Sequence, residues 1–476
     1  LSDFPAYLGQ GLARTIAPVQ AHTQRMSRFV AVDRDTAYLL PPSVDEWLPQ
    51  DHLARFVVEV IDQMDLSELV RQYAGRGSDA YHPAMLVGLL VYGYATGVHS
   101  SRKIERACHD SVAFRFIAAN TQPDHDSIAG FRRRFLPQIE KLFVQVLVLA
   151  REMKCLKLGN ISLDGTKIAA NASKHRALSW EHANKIEAQL RKEVQLLLKL
   201  AEESDSRPVN DGLDVPAEIA RREQRLAAIA QAKTKIEERA RERHAVEQQE
   251  YEAKCARREA QREVGKKPRG PDPQPPSSGP KDSDQVNLTD EESRIMPGSS
   301  GGFGQSYNAQ AAVDTETMMV VVQHVSQAPN DKREVTPILD KVQALAPLLG
   351  EVRTLLADTG YFSAGNVQAC EAFGIEPMLA MKRELHHLPL LQRFAPDEPA
   401  PETDDPVAKM AHRLRTRKGR ALYGLRKQTV EPVFGIIKRV MGWRQMSMRG
   451  LDKARGEWSL VTMAWNIKRL HVLRAA

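Results

Sequence analysis

Twice in this chain an apolar, β-branched run ends on a single carboxylate. The first is Asn160-Ile-Ser-Leu-Asp-Gly-Thr-Lys-Ile-Ala-Ala-Asn-Ala-Ser173, which carries Asp164 and is expected to break at Gly165. The second is Val352-Arg-Thr-Leu-Leu-Ala-Asp358-Thr-Gly-Tyr361. Each reads as a buried strand with an acid on it. An ionised acid is expensive to bury alone, so such a group is paired or holds a cation. A third acid, Glu431, lies on a helical pattern near the C-terminus. The constraint on the fold is that these three must meet.

Length and charge set wide bounds. The chain has 476 residues, enough for two to four domains with ample core. Net charge is +7 and the pI about 9.1, which points to nucleic acid only if the charge is clustered. Cys108, Cys155, Cys255 and Cys370 are far apart, with no CxxC pair. They form neither a disulfide framework nor a zinc knuckle, and a reducing cytoplasm is expected. No apolar run approaches the roughly 20 residues that span a bilayer. The chain opens on Leu1 and its first methionine is Met26. Residues 1–25 are read as upstream translation or a non-methionine start, and residues 1–40 as a poorly ordered segment.

Residues 41–150 read as a helical N-terminal domain. Asp51–Met64 has helical periodicity, and Met85–Tyr94 reads as a buried helix after Pro83. Ser100 is placed to cap a helix carrying Arg102, Lys103 and Arg106. A second capped start at Asp126-Ser127 leads to Arg132, Arg133 and Arg134. Two short helices with basic outer faces are compatible with helix-turn-helix DNA binding, and equally with solvated arginines on a surface. After the Asp164 strand, in a segment at 151–175 that is read as the first part of a sheet domain, composition changes to Ala, Glu, Lys, Arg, Gln and Leu. Ile186, Leu190, Val194 and Leu197, then Leu226, Ile229 and Ile236, recur at helical spacing. Residues 176–262 are therefore expected to form an antiparallel, coiled-coil-like helical hairpin. Residues 263–303, with the Pro-rich stretch Gly265–Lys281, read as a disordered linker.

From 304 to 476 the pattern returns to sheet and helix. A hairpin is expected from Tyr307–Val313 and Met318–Val325, with a helix from Asp331, a strand at Leu355–Asp358 and a helix capped by Ser363. A short strand at Ile375–Ala380, a polar loop at 382–405 and helices through Glu431 and from Glu457 complete the order. That order is an α/β (α+β) chain of RNase H-like type, a mixed-sheet core interrupted by the helical insertion. In such a sheet, carboxylates at neighbouring strand ends and on a covering helix can converge on a pair of cations. Hard oxygen ligands suit Mg²⁺ or Mn²⁺, and the chemistry expected of such a pair is phosphodiester transfer, with charge neutralised on attacking and leaving oxygens. Other acids have ordinary readings: Asp314 and Glu316 in a turn, Asp331 as a helix cap, Asp340 on an exposed face, Glu371 on a short helix, Glu457 at a helix start.

The Glu431 helix carries more. Tyr423, Lys427, Glu431 and Lys438 share one face at steps of four and seven, and Arg426 lies beside them. Such a cationic and aromatic stripe suits a grip on DNA; the bland alternative is a surface helix with weak ion pairs. His412–Arg420 is the densest basic run, and Arg439, Arg444 and Arg449 add to it.

These stretches together resemble bacterial insertion-sequence transposases of the DDE class, in the branch with a Tyr-Arg-Glu-Lys signature. The matching segments are Leu163–Lys167, Leu288–Arg294, Tyr307–Asp314, Ala357–Tyr361, Val430–Gly435 and Arg449-Gly450. The resemblance implies that Asp164, Asp358 and Glu431 are the catalytic triad and metal ligands, and that Tyr423 and Lys438 are the signature's Tyr and Lys. Lys427 holds the signature's Arg spacing, whereas Arg426 stands one residue farther from Glu431, so both stay candidates for DNA contact. The implied reaction is metal-dependent cleavage at transposon ends followed by 3′-OH strand transfer into target DNA. The implied partners are double-stranded DNA and further copies of the chain. A catalytically inactive DNA-binding relative and a metal-dependent nuclease without strand transfer remain as rival readings.

Overall fold

The computed structural model describes residues 43–73, 80–204, 214–265, 267–268, 270–298, 301–381 and 396–475. The expectations for residues 1–40 and for most of the 382–405 loop lie outside them. The chain first folds as helices: α1 (Val44–Trp47), α2 (Leu53–Asp62), α3 (Ser67–Val70), α4 (Pro83–Thr96), α5 (Ser101–Asp110), α6 (Val112–Ile117) and α7 (His125–Glu152). Helix α4 is apolar all round, so it is buried all round: every residue from Leu86 to Ala95 is in the core. Pro83 starts it, and Gly97 ends it in the left-handed conformation at φ 88°.

Helix α7 departs from the expected short helix. The Asp124 carboxylate caps it by accepting from Ser127 N, and it then runs for 28 residues. Ile128, Phe131, Phe135, Ile139, Leu142 and Val146 keep one apolar face buried well past the arginines.

The sheet follows. Strand β1 (Asn160–Ala169) continues through Gly165 instead of breaking there. Beyond it come β2 (Ala177–Ser179), α8 (Trp180–Ser204), α9 (Val215–Glu263), β3 (Gln285–Asn287), β4 (Arg294–Pro297), β5 (Phe303–Asp314) and β6 (Val320–Ser326). The rest is α10 (Val335–Leu349), β7 (Thr354–Ala357), α11 (Ala364–Ala372), β8 (Glu376–Leu379), α12 (Pro406–Arg415), α13 (Arg417–Arg439) and α14 (Leu451–Leu473). Strand β5 pairs antiparallel with β1 on one edge and with β6 and β4 on the other. Strand β1 is parallel to β7, and β7 to β8. The order is therefore β6–β5–β1–β7–β8, a mixed sheet with one antiparallel strand beside the central one.

Helix α14 packs on α2, α4 and α7 as well as on β5 and β6. The N-terminal helices and the sheet thus share one hydrophobic core. Glu457, expected at a helix start, lies inside α14 and is fully buried. It accepts from Tyr94 Oη at 2.9 Å and from Ser447 N at 2.8 Å, which satisfies a group otherwise costly to bury.

Helices α8 and α9 pair antiparallel, as Glu187–Lys233 (2.8 Å) and Glu193–Arg222 (2.7 Å) require. Leu190, Ile229 and Ile236 close a small separate core with Leu178 and Val286 from the β2–β3 pair. The Pro-rich stretch differs from the expected free linker. Where described, it runs back along α9: Arg258 and Arg262 pair with Asp272, and Arg243 grips both oxygens of Asp284 at 2.7 and 2.8 Å. The chain then re-enters the body at buried Asp290, which accepts from Tyr307 Oη (2.9 Å) and Gly450 N (3.2 Å). That bond joins the return of the arm to β5 and to the start of α14.

Candidate active site

Strand register brings the first two acids together. Leu163 of β1 pairs with Ala357 of β7 in parallel, so the next residues, Asp164 and Asp358, come abreast at the strand ends. Each carboxylate accepts a nearby backbone N–H: Asp164 from Gly165 and Asp358 from Gly360, both at 2.8 Å. Asp358 thereby caps a single 3₁₀ turn, Thr359–Tyr361.

Helix α13 supplies the third. Thr416 caps its start, and Val430, Val433, Phe434 and Ile437 bury one face against the sheet. It lies on β1, β5 and β7. That docking sets Arg426 and Glu431 over the strand ends. Arg426 Nη2 is 3.2 Å from Glu431 Oε1, and Arg426 Nη1 is 3.6 Å from Asp164 Oδ2. Of the two candidate cations, Arg426 is thus the buried one facing the acids, whereas Lys427 is exposed. Tyr423 is half-buried at the edge of the core. Lys438 donates from Nζ to Thr166 Oγ1, two residues along β1 from Asp164.

Burial pushes the Asp164 carboxyl up to about 6; repulsion from Asp358 and Glu431 adds to this, against the Gly165 N–H and Arg426. Burial likewise pushes the Lys438 ammonium down, opposed by attraction to Asp164. The acids therefore carry more negative charge than one arginine neutralises. Among the described residues, no three Asp, Glu, His or Cys side chains already stand at metal-ligand spacing. The chemistry of the donor set nonetheless fits a hard divalent cation: carboxylate oxygens at adjacent strand ends, in mutual repulsion. Glu431, with its side chain 50% exposed, has room to move toward the other two.

A fourth acid lies under the same strand end, on the sheet's other face. Asp331 is not the expected helix cap, a position held by Glu334. Its Oδ1 accepts from Asn308 Nδ2 (2.7 Å), Gln310 Nε2 (2.8 Å) and Lys167 Nζ (3.1 Å). Tyr361 Oη donates to Gln310 Oε1. Gly165 is what admits this network: a Cβ there would stand 2.3 Å from Gln310 Nε2 and 2.8 Å from Asp331 Oδ1. The signal in the sequence was Asn308 and Gln310, two polar residues on one face of an apolar strand, which needed a buried partner. Burial first, then Asp331, Asp164 and Asp358, push the Tyr361 phenol well above its ordinary value. A phenol so held makes a poor nucleophile.

The N-terminal basic residues divide. Arg102, Lys103, Arg106 and Arg133 are exposed. Arg134 lies over the rings of Tyr73 and Phe135 and donates to Gln72 O at 2.6 Å. Arg132 corrects the expectation of DNA contact. It is buried, and donates to Tyr94 Oη (3.0 Å) and His99 O (3.1 Å), in line with Glu457. The i+3 and i+4 neighbours that bury α7 carry Arg132 inward with them.

Residues 42–134 match the family model described as a transposase domain (DUF772), and residues 282–467 match that of the transposase DDE domain. Both support a DDE transposase. No curated protein and no solved structure matches the chain. Among the described residues no helix is long and apolar enough to cross a membrane.

Proposed function

We propose that the chain is a DDE transposase that cuts DNA at transposon ends and transfers the freed 3′-OH into target DNA. The observation that carries this reading is the register of β1 and β7, which sets Asp164 beside Asp358 under the Glu431 helix. The strand order supports an RNase H-like core, and the α8–α9 hairpin supports the insertion between its first and second strands.

On this reading Asp164, Asp358 and Glu431 hold Mg²⁺ or Mn²⁺, probes of equal use here because both take oxygen ligands. When bound, the ions supply charge neutralisation at the attacking and leaving oxygens. The chain's own residues do the rest. Asp164 and Asp358, fixed by backbone N–H bonds, are preorganised. Arg426 offsets part of the acids' charge before DNA arrives, and its guanidinium fork suits a phosphate once they are otherwise neutralised. Lys438 and Lys427 offer ammonium groups to the backbone of a DNA end, with Tyr423 beside them, and exposed Arg102, Lys103, Arg106 and Arg133 offer a second contact. Burial of Tyr361 argues against this residue as a nucleophile toward DNA.

The test is a cleavage and strand-transfer assay with DNA from the ends of the flanking element and Mg²⁺ or Mn²⁺. Asp164→Asn, Asp358→Asn and Glu431→Gln are each expected to abolish cleavage while DNA binding survives. Metal-dependent cleavage retained in any of the three overturns the triad. Cleavage without joined product favours a nuclease over a transposase.

A further inference from the structure

Beyond the acids, β1 leads into a cleft of about 880 Å³, within the size range of ligand clefts. One wall carries Lys438, Arg439 and Arg444. The β4–β5 hairpin lines the cleft too, through Gly298, Gly301, Gly302 and Gly304 around Phe303. Among the described residues that line the cleft there is no acid. Arg439 and Arg444 are exposed, and Arg444 is braced by its Nε on Lys438 O at 2.9 Å. The cleft reaches the reaction centre through Lys438, whose ammonium sits on Thr166.

Phe303 is the odd member. It is 72% exposed, although its strand partners bury almost everything from Ser306 to Val313. Glycines flank it on both sides, and Gly301 and Gly302 take φ of 84° and 82°, so the adjacent residues 301, 302 and 304 bring no side chain over the ring. One exposed aromatic is ordinary on a protein surface. One exposed aromatic lining the same acid-free cleft as Lys167, Lys438, Arg439 and Arg444 is suited to be a stacking platform beside a phosphate track. Base faces inside a duplex are already stacked, so away from a duplex end the ring can accept only an unpaired base.

We propose that this cleft binds an unpaired nucleotide of a DNA strand leaving the active site, its base stacked on Phe303 and its phosphates held by Lys438, Arg439 and Arg444. The proposal rests on the DNA-processing reading above and adds a single-strand subsite to it.

The experiment uses the full chain and two probes: a blunt duplex, and the same duplex with a short single-stranded tail carrying 2-aminopurine. Wild type is expected to bind the tailed probe more tightly and to quench the 2-aminopurine by stacking. Phe303→Ala is expected to weaken tailed-probe binding roughly tenfold and to lose the quenching. Binding of the blunt duplex should be unchanged, and Phe303→Trp should restore both signals. Arg439→Ala with Arg444→Ala should weaken tailed-probe binding and flatten its salt dependence. Equal affinity and equal quenching in wild type and Phe303→Ala overturn the subsite while leaving the DNA-processing reading intact. Failure of wild type to bind either probe overturns both.

Discussion

Replacing Asp164 with Asn should stabilise the protein in the absence of divalent metal while removing its activity. The reason is that the folded state holds this carboxylate where it is repelled. Its value rises from 3.8 to about 6, through burial first and then through Asp358 and Glu431. Relative stability is therefore fully present below 3.8 and is lost as pH rises toward and through about 6. The gap corresponds to about 3 kcal/mol, and with solvent reaching part of the side chain about 2 kcal/mol is expected. Asparagine keeps the shape without the charge, and Arg426 keeps Glu431 as its partner. The assay is urea unfolding in chelator, followed by the fluorescence of buried Trp443 and Trp458. The variant should unfold at higher urea than wild type at pH 8, and the two should converge toward pH 4. Adding Mn²⁺ at pH 8 should stabilise wild type and close the gap, because a ligand stabilises only the state that binds it. A variant no more stable than wild type at pH 8, or a gap independent of pH, would refute the reasoning.

Gly165→Ala drives a Cβ into Gln310 and Asp331, and should destabilise the fold by about 1–3 kcal/mol, read from the urea midpoint. Asp331→Ala leaves the Asn308, Gln310 and Lys167 donors without their acceptor; a loss of about 2 kcal/mol is expected by the same measurement, most of it recovered in Asp331→Asn. Arg132→Ala should lower the thermal midpoint by removing the buried bonds to Tyr94 and His99, with DNA binding per folded molecule unchanged. Arg133→Ala should do the reverse, weakening DNA binding in a gel-shift titration with no change in melting.

The acids were legible because their residue type contradicts their surroundings. A carboxylate in an apolar strand is a local fact, and composition carries it without tertiary information. The helical arm was legible for a similar reason, since its periodicity and charge are local too. The parallel pairing that sets Asp164 beside Asp358 joins residues far apart in the chain, and periodicity alone does not specify that register. Nor could spacing choose between Arg426 and Lys427. Consecutive helix residues point about 100° apart, and only the docking of α13 on the sheet decides which one faces the acids. Arg132, Glu457 and Asp331 were misread because each looks like a surface, terminal or capping group in isolation. What buries them comes from other elements: Tyr94 from α4, Ser447 from the loop before α14, and Asn308 and Gln310 from β5. The sequence by itself determined which groups needed a partner. The tertiary structure decided which partner each received, because desolvation is a property of a residue and proximity is a property of the fold.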